Sequence, residues 1–452
     1  MTNTRVAVAD VATLSSPRIA DHAADLLTRL FRGLDRTVRL RLWNGRLLKL
    51  GNAAAGMSKG DATPRFTLVC RSPAAVREMA LGRDPLRLAE VYFRDDVDIE
   101  GDFFAALGLK DHLRTINMSW RDRVGAVASA VRLCLSDPSS SRKSSERASL
   151  HGRSVREHSK SENKQAIAFH YDVSNAFYAL WLDDAMVYSC AYFEQPGDTL
   201  AQAQRAKLDH VCRKLLLRPG ERLLDIGCGW GALVIHAATH YGVRAHGITL
   251  SEQQLTLARE RIAEAGVGDR VTVELRDYRD LTEEGSYDKV SSVGMFEHIG
   301  LKNLPVYFAK VHQLLKPGGL FLNHGITHDV EGWKKTLSSE FINRYVFPDG
   351  QLDTVSNIQR VMERSHFEIA DVESLRPHYA MTLRHWVARL EKHHDEALQF
   401  VSESTWRVWR LYMAACALEF ESGEIGVYQV LASRRGGRGE ALPLTRRHLY
   451  SS

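Results

Sequence analysis

Arg222-Leu-Leu-Asp-Ile-Gly-Cys-Gly-Trp-Gly231, continuing Ala232-Leu-Val-Ile-His-Ala-Ala238, decides the fold of the larger part of this chain. Arg222 to Ile226 reads as a buried strand, and a helical pattern resumes at Ala232 after five residues, three of them glycine. Gly227, Gly229 and Gly231 allow a tight turn and a close backbone approach to a ligand at the carboxyl end of the strand. The spacing is GxGxG, with Ala232 where a dinucleotide fingerprint has its third glycine, and Asp225 stands two residues before the first glycine. The next strand, Val243 to Ile248, ends in Thr249-Leu-Ser251-Glu-Gln-Gln254 and not in an acidic residue. In isolation such a loop serves any nucleotide, or only a turn.

Outward from the loop, residues 166–452 alternate short apolar runs with helical patterns, which implies an α/β unit: a mostly parallel sheet with helices on both faces. Residues 136–165 are a Ser/Arg/Lys-rich linker from which hydrophobic residues nearly vanish. Residues 1–135 read as a smaller α+β domain. Ser16-Pro17 starts a helix of about five turns, with Ala23, Leu26, Leu27, Leu30, Phe31 and Leu34 on one face. Val38, Leu40 and Leu42 then alternate with Arg39, Arg41 and Trp43 up to Asn44-Gly45, and Leu47 to Leu50 follow, predicting a hairpin with a type I′ turn. Apolar runs at Phe66 to Cys70 and Val97 to Ile99 add strands.

The 452 residues suffice for two or three domains, and 44% hydrophobic with 25% charged residues is ordinary globular composition. No stretch approaches the apolar length of a membrane span. Met1 to Pro17 does not read as a secretory signal, so a cytoplasmic location is expected. Six scattered cysteines without a CxxC pair argue against disulfides or structural zinc, and no metal site is expected; His393-His394 are adjacent on a helix and point to different sides. A net charge of +5 supplies no case for a nucleic-acid partner. Between Arg29 and Lys49, however, seven basic residues are opposed only by Asp35, which suits either an anionic membrane surface, contacted peripherally, or a merely solvated face.

Asp225-Ile-Gly-Cys-Gly-Trp-Gly231 with Gly247-Ile-Thr-Leu-Ser-Glu-Gln253 resembles motifs I and II of the S-adenosylmethionine-dependent methyltransferases. Within these the chain resembles the cyclopropane-fatty-acyl-phospholipid synthases and their mycolic-acid relatives. Phe169 to Tyr178, Tyr188-Ser-Cys-Ala-Tyr-Phe193, Met295-Phe-Glu-His-Ile-Gly300, Lys316-Pro-Gly-Gly319, Phe341 to Gly350 and His378-Tyr-Ala-Met-Thr382 match that family's blocks in its order. The resemblance is firm over Ala166 to Ser433 and looser in the N-terminal domain, through Leu88 to Tyr92 and Ile99 to Asp102. It implies a class I methyltransferase sheet and transfer of a methylene unit from S-adenosylmethionine to a cis double bond of a phospholipid acyl chain. It further implies a bicarbonate ion as proton acceptor, at Cys190, Glu297, His324, the backbone around Ile326, and Tyr379. Cys416 matches a family cysteine considered as a nucleophile. A homodimer is compatible with all of this.

Pattern supports part of that assignment independently. Glu297 and His324 follow the candidate strands Lys289 to Val293 and Leu320 to Asn323, at the carboxyl edge where α/β ligands bind. Removing a proton from a newly added methyl group needs a nearby base with nothing competing for it. For the cofactor, the backbone of Gly227 to Gly231 would approach the amino-acid part. Thr249, Ser251 and Gln254 would bond the ribose, Asp277 and Tyr278 would flank the adenine, and Tyr171, Tyr188 and Ser189 would close over it. Blander readings stand beside these: Glu297 as a cap, His324 as a hydrogen-bonded strand-end residue, Tyr379 and Cys190 as core. Cys416 fits a helix core better than a nucleophile, because an alkene attacking a sulfonium needs none. Rival functions are a methyl- or methylene-branching acyl methyltransferase, a small-molecule N-methyltransferase, and a lipid-binding protein with a degenerate cofactor site.

Overall fold

The computed structural model describes residues 17–32, 34, 37–51, 64–81, 85–109, 120–136, 174–332, 337–346, 350–436 and 442–450. They belong to two compact units, Met1–Leu150 with Glu403–Val408, and His151–Ser402 with Trp409–Ser452. The division at residue 150 falls inside the stretch read as a linker. Most of that stretch, and Tyr171 with it, lies outside the described residues.

In the first unit a four-stranded sheet has the order β2-β1-β3-β4, from β1 (Val38–Arg41), β2 (Leu47–Leu50), β3 (Phe66–Cys70) and β4 (Val97–Gly101). Helix α1 (Pro17–Leu30) is shorter than expected, at 14 residues. It buries Ile19, Ala20, Ala23, Ala24, Leu26 and Leu27 in the core that Val38 and Leu40 of β1 share. The hairpin forms, with Val38 opposite Leu50 and Arg41 opposite Leu47. Its turn is not type I′. Leu42 and Arg46 bracket a three-residue loop in which Gly45 alone takes positive φ, at 82°, while the Asn44 side chain accepts from the Arg46 N–H at 3.1 Å. That local bond holds Asn44 in ordinary backbone space, so a type I′ pair of left-handed residues is not needed.

Arg407 explains why Glu403–Val408 clusters with this unit. Its buried guanidinium donates to Asp95 at 2.7 Å and Glu403 at 2.7 Å, and lies 4.9 Å over the Tyr92 ring. A buried guanidinium requires such partners, and chain order gave no hint of them.

The second unit carries a seven-stranded sheet in the order β10-β11-β9-β8-β5-β6-β7. Its strands are β5 (Arg222–Ile226), β6 (Arg244–Thr249), β7 (Val271–Leu275), β8 (Tyr287–Val293), β9 (Leu315–His328), β10 (Phe367–Ser374) and β11 (Ile425–Arg434). β11 runs antiparallel to both its neighbours, β9 and β10, while β5 to β9 pair in parallel. Leu223 and Leu224, successive on β5, enter separate cores on the two faces of the sheet, as a strand's period of two requires. The chain leaves β5 toward β6 on one side and later takes β8 on the other. The carboxyl ends of β5 and β8 therefore flank a topological switch point, where such sheets open a crevice.

Candidate active site

At that switch point lies a cavity of about 130 Å³, lined by the ends of β5, β6 and β8 and by the segment after β7. Gly227 and Gly229 line it with φ of 83° and 55°, the left-handed conformations that the glycine loop predicted. Gly231, at φ 83°, caps helix α2 (Ala232–Tyr241) and is not part of the lining. Asp225 lines the cavity from the end of β5. Burial raises its carboxyl to about 6, opposed by the Ser291 hydroxyl, which donates to it at 2.5 Å.

The β6 end presents Thr249 and Gln254 to the cavity, bonded to each other at 2.7 Å. Ser251 acts elsewhere, on the backbone. Its hydroxyl accepts from the Gln254 N–H and starts the helix at Glu252. Asp277 and Tyr278 line the wall beyond β7, the Asp277 carboxylate held by both Nε and Nη2 of Arg279 at 2.8 and 2.7 Å. Tyr188 and Ser189 line it from the segment before helix α3 (Leu200–Lys214).

None of Glu297, His324, Tyr379, Cys190 and Cys416 lines this cavity. Glu297 sits on the 3-10 turn Phe296–His298, between Met295 and His298, which do. Its Oε1 accepts from the Ile326 N–H of β9 at 2.7 Å. Its buried Oε2 has no hydrogen-bond partner among the described residues, and burial raises the carboxyl to about 7. His324 lies inside β9 and not beyond a strand end, because β11 extends the pairing to His328. Its Nδ1 meets Gln429 of β11 at 3.2 Å, and burial first, then the cationic Lys207, lowers its ring to about 3. It is neutral at ordinary pH.

Cys190 is wholly buried, its thiol pushed up by burial, and its Sγ contacts the carbonyl oxygens of Ala191 and Leu375 at 3.3 and 3.7 Å. Leu375 directly precedes helix α4 (Arg376–Lys392), which carries Tyr379. The Tyr379 ring is 6.1 Å from Trp386, edge-on, and 4.7 Å from Phe420. Cys416 is a buried residue of helix α5 (Glu403–Ser422) with its thiol raised by burial, which fits the core reading. The structure thus joins Glu297 to the strand of His324, and Cys190 to the helix of Tyr379.

Lys207, Gln204 and Gln429 escaped the sequence reading. Gln204 and Lys207 interrupt the apolar stripe Leu200, Ala203, Leu208, Val211, and Gln429 interrupts an apolar strand. Polar side chains at buried positions were the available signal.

A family model described as mycolic acid cyclopropane synthetase matches residues 158–430. The chain belongs to that family. It is an S-adenosylmethionine-dependent methyltransferase with the class I sheet. A probable fatty acid methyltransferase of Pseudomonas putida is 40% identical over 93% of this chain and 98% of its own. The cyclopropane-fatty-acyl-phospholipid synthase of Escherichia coli (strain K12) is 43% identical over 59% of this chain and 66% of its own. The crystal structure of mycolic acid cyclopropane synthase CmaA1 complexed with SAH and CTAB superposes with a TM-score of 0.57 at 33% identity, covering 60% of this chain and 98% of that one.

Proposed function

We propose that this methyltransferase adds a one-carbon unit from S-adenosylmethionine to the cis double bond of an unsaturated phospholipid acyl chain and closes a cyclopropane ring. The observation that carries the proposal is Glu297. A buried carboxyl, raised to about 7, stands between two residues that line the cofactor cavity and keeps one oxygen without a partner among the described residues. An orphaned buried oxygen is what a small polar guest satisfies.

When bound, S-adenosylmethionine supplies a methyl group activated for attack by an alkene, and bicarbonate would supply the proton acceptor. Glu297, His324, Cys190 and Tyr379 would hold that ion, with the backbone at Ile326 behind them. The Ile326 N–H is already engaged by Glu297, so its contribution is to fix the carboxyl. In its protonated form Glu297 donates through Oε2 to an anion. His324, held neutral, brings no competing proton. Burial of Cys190, Glu297 and His324 excludes water that would quench a cationic acyl chain.

A methyl-branched product is a second reading, favoured by the Pseudomonas putida relative, which matches along nearly all of both chains. Unsaturated phospholipid vesicles incubated with enzyme and S-adenosylmethionine, their acyl chains then treated with ozone before mass spectrometry, separate the two. Both products gain CH2 as methyl transfer is followed by loss of one proton, but ring closure consumes the alkene and leaves a chain that ozone does not cut, whereas branching leaves a methyl- or methylene-substituted alkene that ozone cleaves. Unaltered acyl chains would overturn both.

Membrane docking belongs to the same proposal. The apolar face of α1 is committed to the core, which leaves the basic residues to make the contact. Arg39 and Lys49 are exposed cross-strand neighbours on the hairpin. At on the order of 1 kcal/mol per basic residue, Arg39→Glu with Lys49→Glu lowers flotation with anionic liposomes by roughly tenfold or more. Unchanged flotation would show a solvated face.

A further inference from the structure

Lys207 is 3% exposed, lies on α3 and lines the cofactor cavity. Its Nζ donates to the Ser189 hydroxyl at 2.9 Å, and this is its only hydrogen bond among the described residues. An ammonium has three donors, so two remain for another acceptor. A buried lysine with spare donors is costly unless an anion completes it. The neighbouring acids do not. Neither forms an ion pair with it: Asp183 accepts from the backbone N–H groups of Ala185 and Val187, at 3.1 and 2.9 Å, and Asp225 accepts from Ser291 through Oδ1, which leaves its Oδ2 for a ligand. Burial has already drawn the lysine down to about 8.

The cavity also contains a second basic side chain, Arg276, but that guanidinium is paired with Glu283 at 2.8 Å and Glu274 at 3.3 Å. The second lining acid, Asp277, is paired with Arg279 at 2.7 Å, so among the described residues Lys207 on α3 and Asp225 at the end of β5 are the cation and the anion of the lining that have no ion-pair partner. A cation and an anion in one enclosed space match a zwitterion, and the amino-acid end of S-adenosylmethionine is one.

We propose that Lys207 receives the α-carboxylate of S-adenosylmethionine while Asp225 takes its α-ammonium, so that this pair selects the amino-acid end of the cofactor. Ser189, already bonded to Lys207, sets where the ammonium points. The alternative role for Lys207 is a clamp. Gln204, three residues earlier, donates to the carbonyls of Val187 and Ser189 at 3.3 and 2.9 Å, and Lys207 would only add to that grip on the same segment.

Calorimetric titration with S-adenosylhomocysteine and with its decarboxylated counterpart, which keeps the amine, tells the two roles apart. The parent enzyme binds the carboxylate-bearing ligand about tenfold to a hundredfold more tightly, the range of a charge-assisted hydrogen bond. Lys207→Met, which retains most of the stem, abolishes that preference and leaves affinity for the decarboxylated ligand within about threefold. Lys207→Arg restores part of it. Equal losses for both ligands in Lys207→Met would assign the residue to the clamp and overturn the proposal. So would a parent enzyme without any preference, a result that needs no variant to fold.

Discussion

The cavity at the switch point and the surroundings of Glu297 share the 3-10 turn Phe296–His298, yet they differ in how their buried charges are partnered. The cavity presents Asp225, which burial raises to about 6 against the Ser291 hydroxyl and Lys207, and Lys207, which burial lowers to about 8 against Asp183 and, less, Asp225. The other region holds His324 neutral, and Glu297 raised to about 7, chiefly by burial. One region holds an acid and a base in a single cavity; the other admits little charge of its own, which is what the proposed function asks of a site for a cationic acyl chain. Adjacent sites on one scaffold can thus be tuned independently by how many partners each buried group is given.

The sharpest way to break this contrast is Glu297→Gln. Turnover is expected to fall by about a hundredfold to ten-thousandfold while calorimetric affinity for S-adenosylhomocysteine stays within about twofold. A joint loss of both would merge the two regions into one. Asp225→Asn makes the reciprocal test. Affinity should fall about tenfold to a hundredfold, the range of a charge-assisted hydrogen bond, and turnover at saturating cofactor should largely recover.

Gly325→Ala probes the seam between them. A Cβ there would lie 2.0 Å from the Phe296 ring and 2.9 Å from Glu297 Oε1, so the turn must shift. Overpacking of this kind costs about 1–3 kcal/mol, read as a lower thermal midpoint, with turnover falling more than cofactor affinity. Unchanged stability would mean that the turn yields freely.

The smallest effect is in the pH dependence of stability. His324 binds its proton less tightly folded, at about 3, than at its ordinary 6.5. Its contribution is full above 6.5 and is lost as pH falls toward 3. Glu297 runs the other way, full below 4.5 and lost as pH rises through about 7. Urea midpoints across pH should therefore show a flatter acid side for His324→Gln, and a smaller loss between pH 4.5 and 7 for Glu297→Gln. Slopes equal to the parent's would show that burial does not set these groups.

The glycine loop is legible because its work is done by backbone, and backbone demands leave glycines at fixed spacing. Asp225, Thr249, Gln254, Asp277 and Tyr278 follow from strand ends. Sequence pattern places His324 past its strand, whereas the pairing that lengthens β9 comes from β11, roughly a hundred residues later. Lys207 and Gln429 are hidden for a related reason: each looks like a tolerated polar residue on an apolar element until the partner across space is known. The hairpin turn differs at a smaller scale, where one Asn44 side-chain bond outweighs a dipeptide preference.

The reversed strand β11 also orders events in time. Gln429, the partner of His324, leaves the ribosome some two hundred residues after the glycine loop. A nascent chain can thus shape the glycine loop well before His324 meets its partner across the sheet.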